Sequence, residues 1–374
     1  MPSAPLGFEE RVRSEGADLS VSVVIPSWNG WPLLRENLPS VLEAVESYRV
    51  RRQAPVEILV VDDGSSDGTV ECLPREFPEV RVISLPENRG FAGACNAGFR
   101  AARYAWVALL NNDVRVDSDY LYFKSLHFAD PEVFAVGAKA YEWESSVLAV
   151  GGRYGIFRAG FWRVFFNYDV DLEAGRAWIE ERRLLSVYSV GGFSTYRRTF
   201  LQALGGFEEL LSPFHWEDVD VCYRAWKRGW EVRYEPRSRV WHRTSATIGP
   251  RFRDRYVEYI AARNRLLFHW INLHAPGALL RHACTIPWVV LSRLVVGDAL
   301  PLRALCSAAK RLRRVAQRRR EEAAHAVRSD WEVRDRLATF YRSAPIRVYY
   351  NRRQIVEEHP ESREANQRSR HHLQ

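Results

Sequence analysis

Two stretches of this chain combine acids and amides in a way that can do chemistry. The first is Leu109-Leu110-Asn111-Asn112-Asp113-Val114, which follows Tyr104-Ala105-Trp106-Val107-Ala108. A continuous apolar run suits a strand buried on both faces, and its end in amides and a carboxylate suits the carboxyl edge of a parallel sheet. Ligands of open α/β sheets collect at that edge. Asp113 offers hard oxygen to a divalent cation there, since Mg²⁺ takes few protein carboxylates and completes its shell with phosphate and water. A plain turn accounts for the same residues, because Asn and Asp make local hydrogen bonds of their own. The second stretch is Pro213-Phe214-His215-Trp216-Glu217-Asp218-Val219-Asp220. Val219, Cys222, Tyr223 and Trp226 fall on one helical face, so Glu217 and Asp218 stand in a helix's first turn. Acids are favourable there for dipole reasons alone. Flanked by Phe214 and Trp216, a carboxylate is also partly desolvated, which lifts its proton affinity toward that of a general base.

The elements that must position these groups follow from periodicity. Val21-Ser22-Val23-Val24-Ile25-Pro26 is a first buried strand, followed by the loop Ser27-Trp28-Asn29-Gly30. A helix spans Trp31 to Tyr48 with an interruption or new first turn at Pro39. A second strand, Val56 to Val61, empties into Asp62-Asp63-Gly64-Ser65-Ser66-Asp67-Gly68-Thr69. Asp62 and Asp63 can accept from base N–H and ribose hydroxyls, whereas Asp67 reads as the cap of the next helix. A third strand, Val80 to Ser84, leads to Asn88-Arg89-Gly90-Phe91-Ala92-Gly93, where Arg89 can meet a phosphate and the glycines can simply allow close helix–sheet packing. This is not the GxGxxG of dinucleotide binders, so hydride transfer has little support. Strand–helix alternation over residues 21–113 argues βαβ units and a parallel sheet. Beyond it the pattern predicts a strand at Val133–Ala138, hairpins over Ser146–Phe166, and a strand at Leu184–Val190 ending in Gly191-Gly192-Phe193-Ser194. A short helix at Arg197–Leu204 and a last strand at Val232–Tyr234 follow, before Val240-Trp241-His242-Arg243. A lone histidine such as His242 is ordinarily structural.

Composition sets the bounds. The 374 residues suffice for one large domain and an appendage. A net charge of +8, carried almost wholly by Arg, favours anionic partners. Five scattered cysteines without a CxxC pair fit reduced thiols better than a disulfide frame or a zinc site. Residues Met1 to Ser20 carry four acids and no apolar core of a signal peptide, and read as a flexible arm.

In this order, VSVVIPSWNG, ILVVDDGSSDGT, NRGFAGACNAG, LLNNDV, GGF, LGGFEE, HWEDVDVCYRAW and the trailing WH resemble the family 2 glycosyltransferases of the GT-A fold. The likeness covers roughly Val21 to Asn264 and is closest to rhamnosyltransferase-like bacterial members that build cell-surface polysaccharide. It implies an α/β, Rossmann-like, mostly parallel central sheet with a helical C-terminal extension. The divisions expected are an arm at 1–19, the GT-A domain at 20–265, a basic helical extension at 266–350 and a polar tail at 351–374. The resemblance implies a nucleotide-sugar donor (dTDP- or UDP-linked, rhamnose among the sugars), held by Pro26, Asn29, Asp62, Asp63, Arg89, Gly90, Asn111, Asn112, Gly192 and Arg263. It implies a divalent cation, Mn²⁺ or Mg²⁺, on Asp113 with His242, and catalysis at Asp218 beside Glu217. Asn111 stands where the first acid of the family's DxD motif is usual, which puts strict metal dependence in question. The acceptor implied is a glycan or lipid-linked glycan, with inversion at the anomeric carbon.

In the tail, uncharged runs of 15 and 11 residues (Leu266–Leu280 and His282–Ser292) are short of the ~20 that a spanning helix needs. They read as amphipathic helices at a membrane face, and the basic run Lys310–Arg320 adds attraction to acidic lipid. A solvated helix or a contact in a homo-oligomer remains an equal alternative. No nucleic-acid module is recognisable. The expected location is cytoplasmic, peripheral at the inner face of the cell membrane. Two rival functions stay open: a nucleotidyltransferase of related fold, and a non-catalytic nucleotide-sugar binder or assembly protein.

Overall fold

A computed structural model of the protein describes residues 17–243, 253–350 and 353–354. The arm expected at 1–19 lies outside the described residues up to 16, and the tail expected at 351–374 lies outside them apart from 353–354. In chain order the strands are β1 (Val21–Ser27), β2 (Val56–Asp62), β3 (Val80–Ser84), β4 (Trp106–Leu110), β5 (Val114–Val116), β6 (Val133–Glu142), β7 (Leu148–Val150), β8 (Gly152–Arg158), β9 (Phe161–Val170), β10 (Phe193–Arg197), β11 (Glu231–His242), β12 (Ile346–Tyr350) and β13 (Arg353–Gln354). The helices are α1 (Trp31–Arg52), α2 (Thr69–Glu76), α3 (Gly90–Ala101), α4 (Tyr120–Ser125), α5 (Arg176–Glu180), α6 (Arg198–Ala203), α7 (Glu217–Lys227), α8 (Asp254–Asn272), α9 (Pro276–Val295), α10 (Leu300–Ala309), α11 (Leu312–His325) and α12 (Asp330–Ser343).

The main sheet runs β3-β2-β1-β4-β10-β6-β11-β5, with β7 on β6. Its first half is parallel and its strands β1, β2 and β4 are buried on both faces, which is why they read as uninterrupted apolar runs. A second, antiparallel sheet holds β13-β12-β9-β8. Helix α3 lies close on the first sheet because Gly98 leaves room: a Cβ there would stand 2.3 Å from the Val24 side chain.

Several expectations are corrected. Leu184–Val190 forms no strand. Its backbone bonds are split, Ser186 N–H to Val232 O (2.9 Å) and Val187 N–H to Arg153 O (3.0 Å), so no ladder with one neighbour builds up. The strand begins after the paired glycines instead, as β10. Val232–Tyr234 and Val240–His242 belong to one strand, β11, whose register shifts between Glu235 and Arg239 around Pro236, a residue with no N–H for a ladder. Helix α1 runs through Pro39 without a break, its Leu34, Leu38, Val41 and Val45 buried on one face.

The C-terminal helices are stitched to the rest. The boundary expected at 265/266 falls inside α8, and β12 pairs with β9. Asp330 accepts from Tyr223 Oη (2.8 Å), Lys227 Nζ (2.9 Å) and the N–H groups of His274 and Ala275 (2.7 and 2.6 Å), tying α12, α7 and the α8–α9 joint together. The break between apolar helices comes at Leu273–Ala275 rather than at Arg281, so α9 reaches 20 residues. By length and composition α9 is apolar enough to cross a membrane, with mean hydropathy 1.2, although it contains Arg281 and Arg293. Replacing Gly98 with Ala should cost about 1–3 kcal/mol by overpacking the α3–sheet contact. Urea unfolding measures this, and an unchanged midpoint contradicts it.

Candidate active site

Strand pairing brings the two acid-bearing stretches together. Antiparallel β10 sets Phe193 opposite Leu110, so the glycines before β10 lie beside the residues after β4. Asn111 N–H donates to Gly192 O (2.8 Å), and Gly191 N–H donates to the Asp218 carboxylate (3.2 Å). A side chain at 192 would collide with Asn111, whose Nδ2 lies 2.7 Å from the position of a Cβ. The result is a cavity of about 330 Å³ whose lining includes Asp63, Asn111, Asn112, Gly192, Glu217 and Asp218, with Pro26 and Gly90 at its wall.

Each expected residue has a definite place. Asn112 is buried, donating to Ser27 Oγ (2.9 Å) while its carbonyl accepts from Asn37 Nδ2 (3.0 Å), and it fills the space left by Gly30. Asp63 accepts from Arg89 N–H (2.7 Å). Burial raises its proton affinity against the pull of the Arg89 and Gly90 amides. Asp62 lies behind it, one oxygen on Ser65 N–H (3.1 Å) and the other buried without a partner, and is not part of the cavity lining. Asn29 ties two loops, its Oδ1 on Ser66 N–H and its own N–H on Ser65 Oγ (both 2.8 Å), and it too stands off the lining. The Arg89 guanidinium turns to Glu209 (3.3 Å). Asp67 behaves as a cap, accepting from the first N–H of α1 (Trp31, 2.9 Å) and of α2 (Thr69, 3.2 Å).

Arg263 is not brought to the cavity lining. It is buried and donates to Ser212 O and Asn264 Oδ1, while Asn264 Nδ2 donates to the carbonyls of Leu211, Phe214 and His215. These two residues clamp the loop that carries Glu217 and Asp218. The clamp matters because His215 (φ 71°) and Trp216 (φ 78°) hold left-handed backbone, which costs non-glycine residues free energy and persists only when the surroundings impose it.

Within the acid pair, roles separate. Burial raises the proton affinity of both carboxyls, and the charge of Asp218 raises that of Glu217 further. Asp218 receives the Gly191 and Val219 amides and the field of the Arg153 guanidinium, all of which favour its anion. Glu217 Oε2 is buried without a partner, a poor setting for a charge. The surroundings thus favour the protonated form of Glu217 and, of the two, the anion of Asp218. Arg153 was not legible beforehand. It comes from β8, fixed by Asn167 Oδ1 (2.6 Å) and Val164 O (3.1 Å), and no local motif marks it.

Asp113 follows the cavity-lining Asn112 in the chain but is not itself part of the cavity lining, nor is His242; β5 pairs with β11 so that His242 lies opposite Val114, beside Asp113. His242 Nε2 stands 3.4 Å from Asp113 Oδ1, and that buried oxygen has no hydrogen-bond partner. Two donors sharing one cation at ~2.1 Å each stand roughly 3–3.5 Å apart, so this pair fits a divalent ion. Among the described residues no group of three or more such ligands gathers, so the remaining ligands would come from diphosphate and water.

Titration gives a test. Because the folded state binds the Glu217 proton more tightly than the unfolded chain, stability falls as pH rises from the ordinary carboxylate range through the raised folded value. Glu217→Gln removes this term. Thermal unfolding from about pH 5 to about pH 9 should show the variant gaining on the parent as pH rises; parallel curves contradict it.

Comparisons with known proteins bear on the fold and on what the chain is similar to. The chain is 27% identical over 206 residues to the poly-beta-1,6-N-acetyl-D-glucosamine synthase of Staphylococcus aureus, covering 53% of this chain and 45% of that one. It is 38% identical over 117 residues to the succinoglycan biosynthesis protein ExoO of Rhizobium meliloti, covering 30% and 32% respectively. The matches thus span less than half the length of either relative. Among solved structures it superposes on GalNAc-T7, crystallised with UDP, GalNAc and Mn²⁺, with a TM-score of 0.52 and 18% identity over 68% of this chain and 48% of that one. The fold is GT-A, and residues 22–164 match the model of Glycosyl transferase family 2.

Proposed function

We propose that the protein is an inverting glycosyltransferase that moves a sugar from a nucleoside diphosphate to a hydroxyl of a glycan or lipid-linked glycan. The donor we favour is a dTDP- or UDP-sugar, with rhamnose among the sugars, used at the inner face of the cell membrane. One observation carries the reading: a single cavity is lined both by Asp63 and Asn111-Asn112, which suit a nucleotide, and by the Glu217–Asp218 pair.

Asp63 accepts from the base or ribose, and Asn111 and Asn112 line the adjoining floor. The acceptor hydroxyl lies against Asp218, which takes its proton as the oxygen attacks the anomeric carbon. The bond from that carbon to the diphosphate oxygen breaks on the opposite side, giving oxocarbenium character between the two. Glu217, keeping its proton, adds no second negative charge beside the base. Asp113 and His242 would hold a divalent cation, which supplies charge neutralisation to the departing diphosphate.

Asp218→Asn should lower transfer on the order of 10²–10⁴-fold, the span of general-base catalysis, with donor affinity kept. Near-parent turnover removes Asp218 from the role. Asp113→Ala should abolish the dependence of donor binding on Mn²⁺, read by titration calorimetry with and without the ion. A dependence that survives in the variant places the ion elsewhere.

A further inference from the structure

The helices that follow the cavity-forming part carry charge and apolar surface that the proposed chemistry does not use. Between Pro276 and Arg320, 45 residues hold ten Lys and Arg and a single acid, Asp298, a net of +9 where the whole chain is +8. The rest of the molecule is thus almost neutral. Asp298 is engaged by Arg255 at 2.5 Å. Arg293, Arg303, Lys310, Arg313, Arg314 and Arg320 are exposed and make no ion pair among the described residues.

Helix α9 is two-faced in an unusual sense. Ala278, His282 and Val290 are buried against the protein. On the opposite side, at about 100° per residue, Leu280, Cys284, Trp288, Leu291 and Val295 fall within an arc of roughly 80°. That stripe is apolar and open: Leu280 is 65% exposed, Trp288 73%, Leu291 59% and Val295 87%. The inner face is pinned by His282, whose Nδ1–H donates to Gly160 O (2.9 Å) and whose ring stacks on His269 at 5.0 Å. A helix held along one side by protein, with Arg281 and Arg293 within it, is placed to lie in an interface rather than to cross a bilayer.

We propose that α9 docks in the plane of an anionic lipid bilayer, burying the Trp288 stripe at the headgroup–acyl boundary, with the cations of α10 and α11 drawn to the lipid charge. Charge complementarity selects this occupant. A second copy would bring two surfaces of net +9 together, and a nucleic acid would leave the aliphatic stripe in water. Trp at the headgroup level is the preferred place for an amphipathic ring. The docked helix also lies close to the site. His282 stacks on His269, which is 6.0 Å from Trp216, the residue before Glu217. A lipid-linked acceptor would so be presented near the base, a corollary that rests on the proposed function, whereas docking does not.

The test is co-sedimentation of the full-length protein with phosphatidylcholine vesicles, with and without about 30% phosphatidylglycerol, at about 50 mM salt. The protein should pellet with the anionic vesicles and be released by raised salt. Trp288→Ser with Leu291→Ser should weaken that binding at least about tenfold, and Arg313→Glu with Arg314→Glu by about tenfold or more. Unchanged melting curves establish that both variants are folded. Protein left in the supernatant, binding insensitive to the Trp288/Leu291 change, or equal binding to neutral vesicles overturns the proposal. So does a lipid-free dimer in analytical ultracentrifugation that the same change dissolves, since the stripe would then face a second copy.

Discussion

Two hydrogen bonds made by the backbone of Gly191 and Gly192 hold the site together. One ties the Asp218 carboxylate to the start of β10, the other ties the same turn to Asn111 at the end of β4. Segments more than a hundred residues apart are thereby fixed across one cavity, with the Asp218 carboxylate the only side chain in the link. Register is what makes this possible: a slip of β10 by one residue would turn every side chain of that strand to the other face and place Phe193 where only glycine fits.

Electrostatics follow from that geometry. Two carboxyls side by side at a helix N-terminus, away from water, cannot both ionise cheaply. The amides of Gly191 and Val219 and the Arg153 guanidinium favour the anion at Asp218, because they converge on it and leave Glu217 Oε2 bare. The loop that presents the pair is held in a strained backbone by Asn264 and Arg263, so residues that touch no ligand fix where the acids stand. Past Asn112, off the cavity lining itself, Asp113 and His242 are brought together by the β5–β11 register, with one carboxylate oxygen left unmatched.

How much of this could be read in the chain depended on how local its cause was. Strands β1, β2 and β4 were legible because parallel strands covered on both faces are continuous apolar runs. The acids at their ends stood out because amides and carboxylates interrupt those runs abruptly. The Leu184–Val190 segment misled for the same reason: it is apolar and buried, but burial alone does not say whether its amides find one partner strand or two. Arg153 and the clamp formed by Arg263 and Asn264 act across the fold, so nothing in their own neighbourhoods announces the role. Helix α9 was split at Arg281 because a charge breaks an apolar run in sequence, although an exposed arginine breaks no helix.

The most direct measurement of the central claim is a crystal structure of the full chain with a nucleoside-diphosphate sugar and Mn²⁺. The proposed function predicts the diphosphate beside Asp113 and Asn111, with the anomeric carbon reached by the acceptor face of Asp218 and the ion on Asp113 and His242. A donor bound with its sugar turned away from Asp218, or an ion held by other residues, contradicts the assignment of these two acids to one reaction.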